Sequence, residues 1–371
     1  MKVGIISMQR VINYGSFLQA YSLKHTIEEL GHQAEFVDYT VEPCIVPRKE
    51  GEFEPQKKKN IVEKACNYLW EHRSAKSRKI RKHNRALLEL SRRFQKEFFP
   101  ILGVTPDYQY RTREDVIVIG SDEVFNCLQT NPMVGYSKEL FGKNANANKV
   151  ISYAASFGTT TSEGLEQYGI KEEVADMLKN LDAISIRDKN SKSLIEELVG
   201  KEPAYHVDPV FLCDYTGHIP KEVPLKDYMI VYAYDNRITD EEAQVINAFA
   251  QKHKKKVITM GAKQRLEWEH INLSPFEVLA YFQHADYIVT DTFHGSVFSI
   301  KYSKQFATFV RSGNKQKLTD LLMRFGVENR MVDHVSKLEE KLNVVTDYEQ
   351  VQKKIKEERE LSIAYLKEQI G

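Results

Sequence analysis

The chain predicts an α/β protein made of two doubly wound halves, and three observations carry that prediction. Short, nearly continuous apolar runs alternate with segments of helical period along most of the chain, the pattern of parallel strands covered on both faces by helices. The alternation breaks and restarts around "HVDPVFLCDYTGHIPKEVP" (206–224). The length, 371 residues, also exceeds what one hydrophobic core usually serves.

The elements follow in order. "KVGIISM" (2–8) reads as a first strand. In "NYGSFLQAYSLKHTIEELG", Phe17, Ala20, Leu23, Ile27 and Leu30 recur at helical spacing and Gly31 is placed to stop the helix. "AEFVDY" (34–39) is the second strand, and "DVIVIGSDEVFN" (115–126), "KVISYAASFG" (149–158) and "DAISIRD" (182–188) are apolar strands that run into polar turns. These define an N-terminal domain over 1–210, interrupted by a basic insertion at about 56–99. There Ile61, Ala65, Tyr68 and Leu69 sit three or four apart among Lys and Arg, which predicts a helical pair. The C-terminal domain, 225–345, repeats the logic with strands at 228–234, 256–261, 285–291 and 305–310 and helices at 240–253 and 274–285. A long charged helix closes the chain over 346–371, with Val351, Ile355, Leu361 and Leu366 expected against the body.

Composition excludes several classes. Hydrophobic residues make up 42% and charged residues 28%, and no run approaches the ~20 apolar residues of a spanning helix. The opening residues read as a strand, not as a secretory signal. A net charge of +1 gives no reason to expect nucleic acid. Cys44, Cys66, Cys127 and Cys213 are scattered without a CxxC pair, which argues against zinc and disulfides and for a reduced, cytoplasmic setting. The basic insertion is either a solvated helical face or a peripheral contact for anionic lipid, at roughly 1 kcal/mol per well-placed cation. Walker, HExxH, GxSxG and GxGxxG motifs are absent.

Ligands of doubly wound sheets lie beyond the carboxyl ends of the strands, so four strand-end turns are the candidates. In the first, Asn13, Tyr14, Gly15 and Ser16 follow strand one, with Ser16 placed to cap the helix. That turn either offers helix N–H groups to an anion or is a plain cap. The second holds Gly120, Ser121, Asp122 and Asn126, short polar chains suited to sugar hydroxyls, to a base at Asp122, or to capping. In the third, Arg187 ends an apolar strand, where its fork suits a carboxylate or phosphate; an ion pair with Asp188 or Asp208 is the plainer account. The fourth is "TDTFHGSVFSI" (290–300), where His294 sits in a strand-to-helix turn beside Gly295. Imidazole exchanges protons near neutrality, and a helix N-terminus favours an anion. Of eleven histidines, His294 is the one placed where the fold expects a ligand.

Taken together, "NYGSFLQAYSL", "VIVIGSDEVFN", "ISYAASFG", "ISIRDKNS", "VDPVFL" and "SPFEVLAYFQHADYIVTDTFHGSVFSIKYSKQF" resemble the polysaccharide pyruvyl transferase family over nearly the whole chain. The resemblance implies a GT-B-like fold, two Rossmann-like domains facing across a cleft. It implies transfer of a pyruvyl group from phosphoenolpyruvate to two hydroxyls of one sugar, with a cyclic ketal and phosphate as products. The acceptor would be a surface polysaccharide or its lipid-linked precursor, and neither cofactor nor metal would be needed. It casts His294 and Asp122 as catalytic groups. Arg187, Thr292, Phe293, Gly295 and Ser296 would lie on the donor side. Asn13, Tyr14, Gly15, Ser16, Ser121, Asn126 and Ser156 would lie on the acceptor side or cleft wall, with Ala154 and Gly158 lining it by backbone.

Two positions depart from the family pattern. Thr292 stands where better-studied members have an arginine, and Ser16 where some have an aspartate. Lys301, Lys304, Arg311, Lys315 and Lys317 are candidates to replace the arginine, Lys315 and Lys317 foremost because "SGNKQK" starts a helix that would face the cleft. The alternatives are a GT-B glycosyltransferase using a nucleotide sugar, with Glu277 as a ribose carboxylate, and a non-catalytic GT-B-like carbohydrate-binding protein.

Overall fold

The computed structural model describes residues 1–47, 75–110 and 113–371. It contains two parallel six-stranded sheets. The first has the order β2-β1-β3-β4-β5-β6, from Gln33–Phe36, Lys2–Ile6, Glu114–Asp122, Ala147–Ala155, Ser185–Ile186 and Ala204–Tyr205. The second has the order β12-β11-β10-β7-β8-β9, from Met331–Val332, Gln305–Phe309, Tyr287–Thr290, Tyr228–Tyr232, Lys256–Thr259 and Glu269–His270. The near-continuous apolar runs become the central strands, and β1, β3, β7 and β10 are buried on both faces.

The order in which strands are added reverses once in each sheet. β1 lies between β2 and β3, and β7 lies between β8 and β10. The loops leaving β1 and β3 therefore part from each other, as do those leaving β7 and β10, and each parting opens a crevice at the carboxyl ends. One apolar cluster runs between the halves, joining Val3, Ile5 and Phe17 to Phe211, Tyr228, Phe282 and Phe298. Separate clusters fill the outer layer of each half, around Ile119, Phe125 and Phe157 in the first and Met229, Ile246 and Phe249 in the second.

The elements differ from expectation in three ways. Three strands, β6, β9 and β12, went unforeseen; each has two residues, too few to display a period. Part of the expected insertion, 56–74 with Ile61, Ala65, Tyr68 and Leu69, lies outside the described residues. Its described part is a helix, Ala75–Arg93, which turns through Phe94–Phe98 and buries Leu90, Phe94 and Phe98. Lys76, Arg78, Lys79, Arg81, Lys82 and Arg85 point outward.

The closing helix, Tyr348–Ile370, buries Val351, Ile355 and Leu366 as expected but leaves Leu361 62% exposed. The buried stripe runs 351, 355, 358, 362 and 366, and Leu361 falls to its side. This helix crosses from one half to the other. Gln352 donates to the Lys301 carbonyl, Arg359 to that of Leu212, and Tyr365 to that of Ser152.

Candidate active site

The two crevices face each other and form one cleft of 610 Å³. It is walled by the loops after β1 and β3 on one side and after β7 and β10 on the other. The Ala75–Arg93 helix adds Leu87 and Leu90 at one edge.

On the N-terminal side the helix Tyr14–Glu29 starts from an Asn13 cap, whose Oδ1 accepts from the backbone N–H groups of Gly15 (2.7 Å) and Ser16 (3.2 Å). Ser16, expected as the cap, instead donates its hydroxyl to Asp122 Oδ2 at 2.8 Å. Both residue types cap well, and the neighbouring carboxylate claims the serine. Gly15 is required by close approach: a Cβ there would lie 2.2 Å from His294 Nδ1. Tyr14 donates to the Leu273 carbonyl at 2.7 Å, tying this turn to the opposite half.

Asp122 ends β3 in the left-handed region, φ 77°, which aspartate tolerates better than most residues. Arg187 joins it to Asp208, donating to Asp122 Oδ1 at 2.9 Å and to Asp208 Oδ2 at 2.6 Å, with its guanidinium 4.3 Å from the centre of the Phe293 ring. Of the two partners anticipated for Arg187, Asp208 is one. Asp188 is occupied otherwise, capping the Lys189–Val199 helix through Ser191 N–H. Burial alone would raise the Asp122 carboxyl, but Arg187, His294 and the Ser16 hydroxyl together hold it at about 2. Asp208 is likewise held below its ordinary value: burial opposes this, and His294 and Arg187 outweigh it. Arg187 stays firmly protonated, its burial more than offset by the carboxylates around it.

On the C-terminal side, Thr292 caps the helix Phe293–Lys301, its hydroxyl accepting from Gly295 N–H at 2.9 Å. His294 lies at the first turn with Nε2 3.5 Å from Asp208 Oδ2 and no hydrogen-bond partner at that nitrogen. Asn314 donates its amide to the Asp291 carbonyl and steadies the loop after β10. The Lys315–Arg324 helix brings Lys317 into the cleft, paired with Glu123 across it. Burial would lower the Lys317 ammonium, but Glu123 raises it well above its ordinary value. Lys315 is exposed and outside the cleft wall.

The structure thus gathers Asn13, Tyr14, Ser16, Asp122, Asn126, Arg187, Thr292, Phe293, His294 and Lys317 around one cleft. Gly15 lies directly beneath His294. Other candidates do not line the cleft. Ser121 donates to the Ala154 carbonyl, and Ser156 accepts from Gly158 N–H, both wholly buried under the floor. Gly295 packs on the Thr290 and Thr292 hydroxyls, and Ser296 bonds back to the Thr292 carbonyl. Lys301 and Lys304 donate to the carbonyls of Cys213 and Gln283, and Arg311 pairs with Glu242. Glu277 belongs to a capping box with Ser274 and lies outside the cleft wall.

Sequence reasoning missed Glu123, Tyr234, Gln129 and Asn131, all of which line the cleft. It treated Asp208 only as a partner. The one available signal was Glu123 beside Asp122 at a strand end. Among the described residues no group of three or more His, Cys, Asp or Glu is placed to hold a metal ion.

A family model described as polysaccharide pyruvyl transferase matches residues 13–313. Comparison with curated proteins gives no match. Among solved structures the chain is similar to the glycotransferase of kitacinnamycin, with TM-score 0.51 and 10% identity over 100% of this chain and 99% of that one. It is also similar to Arabidopsis thaliana UGT89C1 complexed with quercetin, with TM-score 0.49 and 13% identity over 100% and 99%. A third is the UDP-GlcNAc 2-epimerase from Neisseria meningitidis bound to UDP-GlcNAc, with TM-score 0.47 and 10% identity over 96% and 94%. At such identities the likeness is one of fold, two Rossmann-like domains in the GT-B arrangement.

Proposed function

Because the chain belongs to the polysaccharide pyruvyl transferase family, we propose that it transfers the pyruvyl group of phosphoenolpyruvate to two hydroxyls of one sugar. The products are a cyclic ketal and inorganic phosphate. The observation that carries this reading is His294, which lines the cleft where the two crevices meet with Nε2 3.5 Å from Asp208 Oδ2, while Arg187 and Lys317 line the same cleft from either side.

The chemistry asks for such groups. One sugar hydroxyl adds to the enol carbon bearing the phosphate while the terminal methylene takes a proton. A second hydroxyl of the same sugar then displaces the phosphate. His294 supplies the proton, a role in which a positioned acid contributes about 10²–10⁴-fold. Lys317 meets the donor's anionic groups in place of the arginine that Thr292 replaces. Asp122, held ionised by Arg187, His294 and the Ser16 hydroxyl, keeps Arg187 and Ser16 in place. Asn131 lines the cleft beside them and offers its amide to the acceptor sugar, while the Asn126 and Gln129 amides are spent on Glu123 and on the Asn126 and Gly135 carbonyls.

The acceptor is a surface polysaccharide or its lipid-linked precursor, reached from the cytoplasmic side. The outward cations of the Ala75–Arg93 helix are the surface for any contact with anionic lipid. Among the described residues no helix is long and apolar enough to cross a membrane.

The test is phosphate release from phosphoenolpyruvate in the presence of candidate acceptor sugars, with calorimetric titration of phosphoenolpyruvate and of uridine and guanosine diphosphates alongside. Binding of a nucleotide but not of phosphoenolpyruvate would replace this reading with a nucleotide-sugar transferase. Sugar binding without affinity for either donor would leave a carbohydrate-binding protein.

A further inference from the structure

Two cations line the cleft beside His294, and they are held differently. Arg187 spends both terminal nitrogens on buried carboxylates, Asp122 and Asp208. Among the described residues Lys317 has one carboxylate partner, Glu123, which comes from the opposite half of the molecule. Both ends of that pair are partly accessible, at 12% for Lys317 and 21% for Glu123.

Glu123 is also seated independently of the lysine. Its Oε2 accepts from Asn126 Nδ2 at 2.8 Å. Room for that contact comes from Gly158, at φ +55°, where a Cβ would lie 2.4 Å from Glu123 Oε2 and 2.5 Å from Asn126 Nδ2. Releasing Lys317 therefore leaves Glu123 with the Asn126 amide as a hydrogen-bond partner, which offsets part of the cost of uncovering its charge. An ammonium is a compact point charge with three donors, able to pass from one anion to another without the fixed geometry that a guanidinium demands.

We propose that Glu123 is an internal competitor for the donor's anion: it holds Lys317 until a phosphate-bearing ligand displaces it, and takes Lys317 back when phosphate leaves. The proposal rests on the donor reading above and adds a specificity-determining residue to it. A singly charged carboxylate gains little by replacing Glu123, whereas a dianionic phosphate gains a second unit of attraction. Lys317 thereby selects phosphate esters, and the same carboxylate speeds the departure of free phosphate.

Calorimetric titration of the full chain with inorganic phosphate, and separately with phosphoenolpyruvate, tests this in wild type, Glu123→Gln, Lys317→Met and the double variant. Glu123→Gln should bind phosphate about tenfold more tightly than wild type, and the gain should vanish in the Lys317→Met background, the signature of a direct coupling. Two results overturn the proposal: no gain in Glu123→Gln, or a gain that survives undiminished without Lys317, which marks a general field effect. If Glu123→Gln does not fold, Glu123→Asp serves, since its shortened carboxylate should loosen its hold on Lys317 and give a smaller gain of the same sign. Turnover is read separately. Tightened phosphate binding without any pyruvyl transfer removes the function proposed above and leaves this inference standing. Transfer with phosphate affinity unchanged by Glu123→Gln does the reverse.

Discussion

The two crevices occupy the same architectural place and hold opposite chemistry. The N-terminal one ends in carboxylates and amides, Asp122, Glu123 and Asn126, locked by bonds within that half or to Arg187. The C-terminal one presents donors, His294 and Lys317, on the first turns of two helices. A duplicated architecture thus provides one rigid wall and one reactive wall. The repeat explains where a ligand lies, and the residues at the strand ends explain what is done to it.

Substitutions should separate the walls. The largest effect on turnover is expected from His294→Ala, a loss of about 10²–10⁴-fold in kcat in a variant that still folds cooperatively; activity near wild type would remove His294 from the chemistry. The rigid wall should answer first in stability. Asp122→Asn should cost on the order of 2 kcal/mol in denaturant unfolding, since its folded proton affinity lies nearly two units below the ordinary carboxylate value. Acid should act likewise. Because the folded value is the lower one, the contribution is complete above about pH 4 and disappears as pH falls through about 2. A stability curve flat from neutral pH down to 2 would contradict it.

Gly15→Ala tests whether the walls touch. Helix propensity favours alanine by at most ~1 kcal/mol, whereas the Cβ would meet the imidazole at 2.2 Å, an overpacking worth ~1–3 kcal/mol. A net loss of stability together with lost turnover is expected, and a stabilised, active variant would show that His294 yields freely. The smallest effect is assigned to Tyr14→Phe, which removes one bond between the halves and should cost ~1 kcal/mol. A larger drop in melting temperature, or a changed donor KM, would mean that this bond also sets the cleft's width.

How legible all this was depends on distance along the chain. Central strands and long helices announce themselves by period, and the four strand-end turns by polar residues after apolar runs. The two-residue strands carry no period at all. The exchange of roles between Asn13 and Ser16 was hidden because the carboxylate that claims Ser16 lies 106 residues away. Lys317 could be named from a helix start, but its partner is 194 residues distant, and nothing local in either segment points to the other. Arg187 was recognisable as a charge at the end of an apolar strand. That both its terminal nitrogens are committed follows only from the tertiary arrangement that brings Asp122 and Asp208 to it.

The closing helix adds a mechanical consequence. The chain passes between the halves near Asp208 and Leu212, and Tyr348–Ile370 passes back beside the same stretch, with Ser362 and Arg359 bonded to Val207 and Leu212. Asp208, the anchor shared by Arg187 and His294, lies in this doubly tied stretch, so the carboxylate that both groups meet is fixed where the halves are joined.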